Sequence, residues 1–258
     1  MFCILYSVSE AKTTVPFGYQ DVLPEEKPAL IRGVFSSVAS RYDLMNDLMS
    51  AGIHRLWKEA FVDWLNPQGG WRVLDVAGGT GDIAFRISER LRPKGGASAI
   101  TVCDVNEAML QQGRNRPEAR DKTIRWLCGD AEALPVEDAS QDAYTIAFGI
   151  RNTTHLDKAL AEACRVLKPG GRFLCLEFSR VAAPGLDDLY DLYSFAVLPR
   201  LGELVTGDGA AYRYLAESIR RFPAQAAFAK RIEKAGFSQL KYRNLSGGIA
   251  AIHSGWKA

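Results

Sequence analysis

Apolar residues recur at helical spacing twice near the start of the chain. Ile31, Val34, Phe35, Val38, Tyr42, Met45 and Met49 form one stripe, and Ile53, Trp57, Phe61 and Trp64 form a second. The turn residues Asn66-Pro-Gln-Gly-Gly70 stop the second helix. Upstream, Pro16, Gly18, Pro24 and Pro28 fall in a stretch with no period, so residues 1–28 are expected to form an irregular N-terminal arm.

From Arg72 the texture changes to short apolar runs alternating with helical stripes. Residues 71–77 read as a strand entering a glycine turn, with Ile83, Ile87 and Leu91 on the helix behind it. Ser98–Cys103, Thr123–Leu127, Ala143–Phe148 and Arg172–Phe178 read as four further strands. Glu107–Arg114 and the stripe Leu156, Leu160, Ala163 and Leu167 read as helices, the second closed by Lys168-Pro-Gly-Gly171. Strands separated by helices imply crossover units and a mostly parallel sheet with helices on both faces. Leu186–Leu204 is amphipathic and aromatic, Tyr212, Leu215 and Ile219 continue as a helix, and a last helix spans about 224–235. Phe237–Arg243 and Gly248–Trp256 are expected to pair antiparallel and close the sheet. The resulting division is a single domain over 29–258, with a core sheet in 71–180 and helical cap segments in 29–66 and 184–235.

Composition narrows the class. The chain has 258 residues, 47% hydrophobic and 24% charged, with mean hydropathy −0.10. Its net charge of +2 lacks the basic excess of a general nucleic-acid binder. The five cysteines show no paired spacing, which favours a reducing compartment. The three histidines are scattered, so no metal site is expected. No apolar run approaches the length of a membrane span. Met1–Val8 lacks a basic flank, and no Arg/Ser-rich transit pattern follows, so a cytoplasmic location is expected.

The strongest chemical signal is VLDVAGGTGD, residues 73–82. Glycines between a strand and a helix let backbone N–H groups approach a ligand closely. Gly79, Gly81 and Ala84 satisfy the dinucleotide spacing GxGxxA, a weak match by itself. Asp75 and Asp82 argue against a pyrophosphate, which two nearby carboxylates would repel. The ammonium and sulfonium of S-adenosylmethionine (SAM) would instead be attracted. Asp104, at the end of the second strand, suits two ribose hydroxyls, and Asp130 with the N–H of Ala131 suits an adenine. Other readings stand beside these. Asp82 also suits a helix dipole, Asp104 a helix cap, and Gly129-Asp130-Ala131 a plain turn.

With these residues assembled, the sequence resembles the class I SAM-dependent methyltransferases, and more narrowly the ubiquinone/menaquinone biosynthesis C-methyltransferase family. VFSSVASRYDLMNDLMSAGIHRLWK (34–58), AFGIRN (147–152) and RVLKPGGRFLCLEFS (165–179) carry the closer likeness, with EALP (132–135) beside them. It extends from about Thr14 to the end. The resemblance implies a Rossmann-like class I fold, closed by an antiparallel strand and covered over the active site by N-terminal and inserted helices. It implies C-methylation of a polyprenylated benzoquinol, a demethylmenaquinol, or both, with SAM as methyl donor and contacts at Thr80, Asp104, Asp130 and Ala131. The family often has Ser where this chain has Ala147. The cofactor set expected from residues and resemblance together is Asp75, Gly79, Thr80, Gly81, Asp104, Asp130 and Ala131.

An aromatic carbon is a poor nucleophile until a neighbouring hydroxyl is deprotonated, so the site must stabilise a phenolate. Arg151 and Asn152, after the fourth strand, and Tyr42, from the N-terminal helices, are the candidate catalytic residues. Arg151 as a structural residue, Tyr42 as a packing residue and His155 as a helix-capping residue are the competing readings. Leu186, Leu189, Tyr193, Phe195, Val197, Leu198 and Leu201 are expected to receive the polyprenyl tail or to cover the sheet. Arg213, Arg220, Arg221, Lys230, Arg231 and Lys234, with Tyr212, Tyr214, Phe222 and Phe228, suit either a solvated face or peripheral contact with the inner face of an anionic membrane. A homodimer or a quinone-biosynthesis complex is a further expectation. The alternatives are a methyltransferase for another small acceptor, a SAM-binding scaffold subunit, and an NAD-dependent dehydrogenase.

Overall fold

The computed structural model describes residues 13–38, 47, 50, 52–95, 98–121, 123–181, 200, 203 and 209–258. Its centre is a seven-stranded sheet. In chain order the strands are β3 (Arg72–Val76), β4 (Ala99–Asp104), β5 (Ile124–Cys128), β6 (Gln141–Ala147), β7 (Leu167–Phe178), β8 (Phe237–Leu245) and β9 (Ala250–Lys257). Their spatial order is β5-β4-β3-β6-β7-β9-β8. The first five run parallel, and β9 lies antiparallel between β7 and β8. The expected closing antiparallel pair is present. The order reverses between β3 and β6, which opens a crevice at their carboxyl ends.

The central strands β3, β6, β7 and β9 are largely buried on both faces, as a helix-covered sheet requires, while the edge strands β5 and β8 are more exposed. Val73, Ile100, Val102, Ala143, Leu174 and Leu176 point into one core. Their neighbours Leu74, Val76, Cys103, Tyr144, Ile146, Phe173 and Cys175 point into the other. The first core is covered by α2 (His54–Leu65), α3 (Asp82–Leu91), α4 (Glu107–Arg114) and α6 (Gly209–Arg221). The second is covered by α5 (Leu156–Val166) and α7 (Gln225–Lys234). The N-terminal helix α1 (Lys27–Val38) adds Ile31 to the first core.

Several local expectations change. Part of the N-terminal arm is a hairpin, β1 (Val15–Phe17) paired with β2 (Gln20–Val22), turning at Gly18 with φ 58°. Strands of three residues are too short to show alternation, and this hairpin is held by α6. Glu217 accepts from the Tyr19 N–H at 3.0 Å, and Arg221 donates to Asp21 at 2.7 Å. Leu167 leaves the helical stripe for β7, extended at φ −74°, ψ 142° and opposite Gln141 of β6. Pro169 disfavours helix in the residue before it, so the chain enters the strand ahead of the two glycines. Ile53 precedes its helix and is 40% exposed. Tyr212, Tyr214, Phe222 and Phe228 are buried, which removes the aromatic half of the expected bilayer face. Tyr42 and the segment from Leu186 to Leu198 lie outside the described residues, as does Leu201.

Candidate active site

β3 delivers its chain to the crevice through a strained turn. Ala77 takes φ 49°, Gly79 φ 54° and Gly81 φ 83° before α3 begins at Asp82. A side chain on Gly81 would also meet Trp126 at 2.6 Å, so glycine here serves packing as well as conformation.

Asp104 ends β4 beside that turn. One of its oxygens accepts from the Gly79 N–H at 2.9 Å and the other from the Asn106 N–H at 2.8 Å. The cap of α4 is Asn106, whose side chain accepts from Ala108 N–H at 3.0 Å. Asp104 is therefore released from the capping role and faces the crevice. Burial raises its pKa, while the two backbone donors oppose that shift.

A cavity opens at this point. Its lining includes Gly79, Asp104, Asn106 and Met109, then Gly129, Asp130, Ala131 and Glu132, then Phe148, Gly149, Asn152, Thr153 and Thr154. Pro28, Ile31, Arg32 and Phe35 of α1 close it from the N-terminal side. Gly79, Asp104, Asp130, Ala131 and Asn152 thus line one cavity. Asp75, Thr80 and Gly81 are not among the lining residues, and neither is Arg151.

Asp75 lies directly beneath the glycine turn and is fully buried. Its Oδ1 accepts from the Thr145 hydroxyl at 2.8 Å, whereas Oδ2 has no partner. Burial pushes its carboxyl up to about 7, against the Thr145 hydrogen bond and with help from Asp82 and Asp104. Asp82 is already paired: Lys58 of α2 reaches it at 2.7 Å and Arg86 at 3.1 Å. Burial opposes its ionisation, but Lys58 and Arg86 outweigh that and hold its pKa low. A bound cation would find Asp75 incompletely satisfied and Asp82 occupied.

Arg151 has a different setting from the one expected. Its guanidinium is 4% exposed and donates to Glu177 of β7 at 2.7 Å and to the Phe148 carbonyl at 2.6 Å. The neighbouring Asn152 Oδ1 accepts from the Tyr214 hydroxyl of α6 at 3.0 Å. His155 is no side-chain cap of α5. Its ring lies 2.9 Å from Glu132, which also accepts from the Thr154 and His155 N–H groups.

Sequence reasoning missed Lys27 and Glu177, quoted Glu132 only within EALP, and gave Tyr214 to a surface face. Lys27 is buried and donates to the Thr153 carbonyl at 2.8 Å, fastening α1 to the cavity rim. Burial lowers its pKa, with Glu132 opposing. Glu177 carried a usable signal, a lone acid within the apolar run RFLCLEF.

The sequence signature of the ubiE/COQ5 methyltransferase family matches residues 21–257. The chain belongs to that family. It is 58% identical over 246 residues to the ubiquinone/menaquinone biosynthesis C-methyltransferase of Dinoroseobacter shibae, covering 95% of this chain and 97% of that protein. The fold matches a SAM-dependent methyltransferase from Thermotoga maritima with TM-score 0.59 and 22% identity, over 88% of this chain and 99% of that one. It also matches phosphoethanolamine N-methyltransferase 2 of Haemonchus contortus in complex with SAM. There the TM-score is 0.58 at 15% identity, over 78% of this chain and 52% of that one. This chain is a SAM-dependent C-methyltransferase of Rossmann-like fold. The residues present suit the donor: Asp104 at the end of β4, Asp130 and the Ala131 N–H after β5, and under the turn the buried Asp75, whose Oδ2 has no partner.

Proposed function

We propose that this protein methylates a ring carbon of a polyprenylated quinol, a 2-polyprenyl-6-methoxy-1,4-benzoquinol, a demethylmenaquinol, or both, in ubiquinone/menaquinone biosynthesis. Residues 29–258 act as one catalytic domain. The observation that carries the reading is a single cavity that joins Gly79, Asp104, Asp130 and Ala131 to the Gly149–Thr154 rim under α1. Donor-binding groups and Asn152 of that rim share one crevice there, so an acceptor that reaches the rim can meet the methyl group in line.

Bound SAM supplies an electrophilic methyl group. Asp104 holds the ribose hydroxyls and stays fixed by Gly79 and Asn106. Asp130 and the Ala131 N–H set the base. On the acceptor, loss of a hydroxyl proton raises electron density at the ring carbon. That carbon forms the new C–C bond, the sulfur keeps the C–S electron pair, and the carbon then gives up its own proton while the oxygen takes one back, restoring the quinol with one proton released per transfer. Asn152 touches the cavity, and Arg151 acts behind it, holding Asn152 in place rather than reaching the acceptor.

A polyprenyl tail calls for work at a bilayer surface. Leu30, Ile53 and Leu56 expose apolar side chains on or beside the N-terminal helices, and no helix among the described residues is long and apolar enough to cross a membrane. These features suit peripheral contact with the inner face of the cytoplasmic membrane. The deciding experiment is a transfer assay with methyl-labelled SAM and the two quinols in parallel. Label on the ring carbon of either supports the reading and identifies the route served. Intact SAM binding with no transfer to either would redirect it to another small acceptor or to a scaffold role.

A further inference from the structure

A second cavity of about 510 Å³ is lined by Phe17 of the N-terminal hairpin, Gln20, and the residues Ala210, Arg213, Tyr214 and Glu217 of α6, among others. It meets the cofactor cavity at one hydrogen bond. Tyr214 lines the second cavity, Asn152 lines the first, and their side chains are 3.0 Å apart. The Tyr214 ring is stacked on Phe17 with centroids 4.4 Å apart, so its direction is set by an aromatic partner from a distant part of the chain.

We propose that this second cavity receives the quinol head group and that Tyr214 is a catalytic residue, donating its hydroxyl proton in a hydrogen bond to the quinol oxygen that becomes anionic. The inference rests on the quinol reading above and adds the place and partner of the acceptor ring. The lining decides for the head group over the tail. Aromatic faces suit a ring, and Arg213, Gln20 and Glu217 suit its hydroxyl and methoxy substituents, whereas an isoprenoid chain would need an apolar wall. The junction decides for Tyr214. A ring held there stands beside the one polar pair shared with the cofactor cavity, where its carbon can face the methyl donor. Burial raises the Tyr214 pKa, so the hydroxyl keeps its proton and acts as a donor to developing charge, with Asn152 holding it when no acceptor is present. No proton leaves Tyr214; the quinol proton passes to solvent.

The test uses the full chain and a short-tailed 6-methoxybenzoquinol, with SAM affinity measured separately by calorimetry. Tyr214→Phe keeps the stack on Phe17 and removes only the hydroxyl. It is expected to lower kcat about 100-fold, the usual cost of losing one oxyanion donor, with SAM affinity unchanged. The ascending limb of its rate profile should move to higher pH, because the quinol loses help in ionising. Ala210→Trp, at an exposed position on the cavity wall, should raise KM for the quinol about tenfold or more by filling the space, again without changing SAM affinity. Wild-type rates and KM in both variants, alongside active wild-type protein, would overturn the proposal and leave the quinol reading standing. A wild-type protein that binds SAM and methylates neither quinol would overturn that reading, and the assignment of this cavity with it.

Discussion

The Arg151 guanidinium and the Glu177 carboxylate form a 2.7 Å ion pair with side chains 4% and 2% exposed. A second N–H of the same nitrogen group holds the Phe148 carbonyl, and Phe148 stands at φ 56°, a conformation that bulky residues seldom adopt. The pair thus fastens a strained strand end to β7, and Asn152 follows it in a 3-10 turn. Removing one member of a buried pair strands the other charge. Glu177→Ala should lower unfolding stability by about 3–5 kcal/mol. Glu177→Gln, which keeps a carbonyl for the guanidinium, should lose less. Chemical denaturation of both variants reads the difference, and an Ala variant as stable as wild type would rule out the brace.

Asp104 is expected to matter through its ligand more than through the fold. Its two backbone hydrogen bonds keep the carboxylate aimed at the cavity. Asp104→Ala removes the acceptor proposed for the ribose hydroxyls, worth about 1.5–3 kcal/mol, so SAM should bind about 10- to 150-fold more weakly. Calorimetric titration checks this. The Glu177 variants provide the contrast, since their primary loss is in stability.

Gly149 offers a steric test of the crevice. Its φ of −120° suits any residue, yet an added methyl would meet the Ala77 Cβ at 2.4 Å. β3 and β6 approach each other there, and both residues line the cavity. Gly149→Ala should cost about 1–3 kcal/mol through overpacking. SAM affinity should fall with it, because Ala77 begins the glycine turn. A variant with unchanged melting temperature and unchanged affinity would show that the turn can move aside freely.

The parallel sheet was legible because each strand is a short apolar run between turn residues, and because acids stood at strand ends. Asp104 and Asp130 could be placed on that basis alone. The N-terminal hairpin was not legible, since its order comes from Glu217 and Arg221 on a helix 198 or more residues away. The same holds for Arg151. AFGIRN marks a functional stretch, but the partner that turns its guanidinium away from the cavity is 26 positions downstream. Tyr214 sat among arginines and read as a surface aromatic, although the helix turns it inward onto Phe17 and Asn152. Pairings set by tertiary contact leave little local trace.

Asp75 gives the pH dependence its sign. The folded carboxyl is pushed up to about 7 from an ordinary 3.8, so the folded protein holds a proton that the unfolded chain has released over that window. Stability from this group accordingly falls as pH rises from about 3.8 to about 7 and is level above it. Ligand attraction runs the other way, because the negative charge under the glycine turn appears only as pH passes about 7. SAM affinity should therefore tighten between about pH 6 and about pH 8, by about tenfold or more, since a charge pair within about 12 Å at an effective dielectric near 20 is worth at least about 1.4 kcal/mol. Asp75→Asn should flatten the rise that belongs to the carboxyl, and subtracting its curve from wild type removes the titration of the ligand's own amine. Parallel curves for the two proteins would mean that the free Asp75 oxygen acts on the turn alone and that the cation is recognised elsewhere.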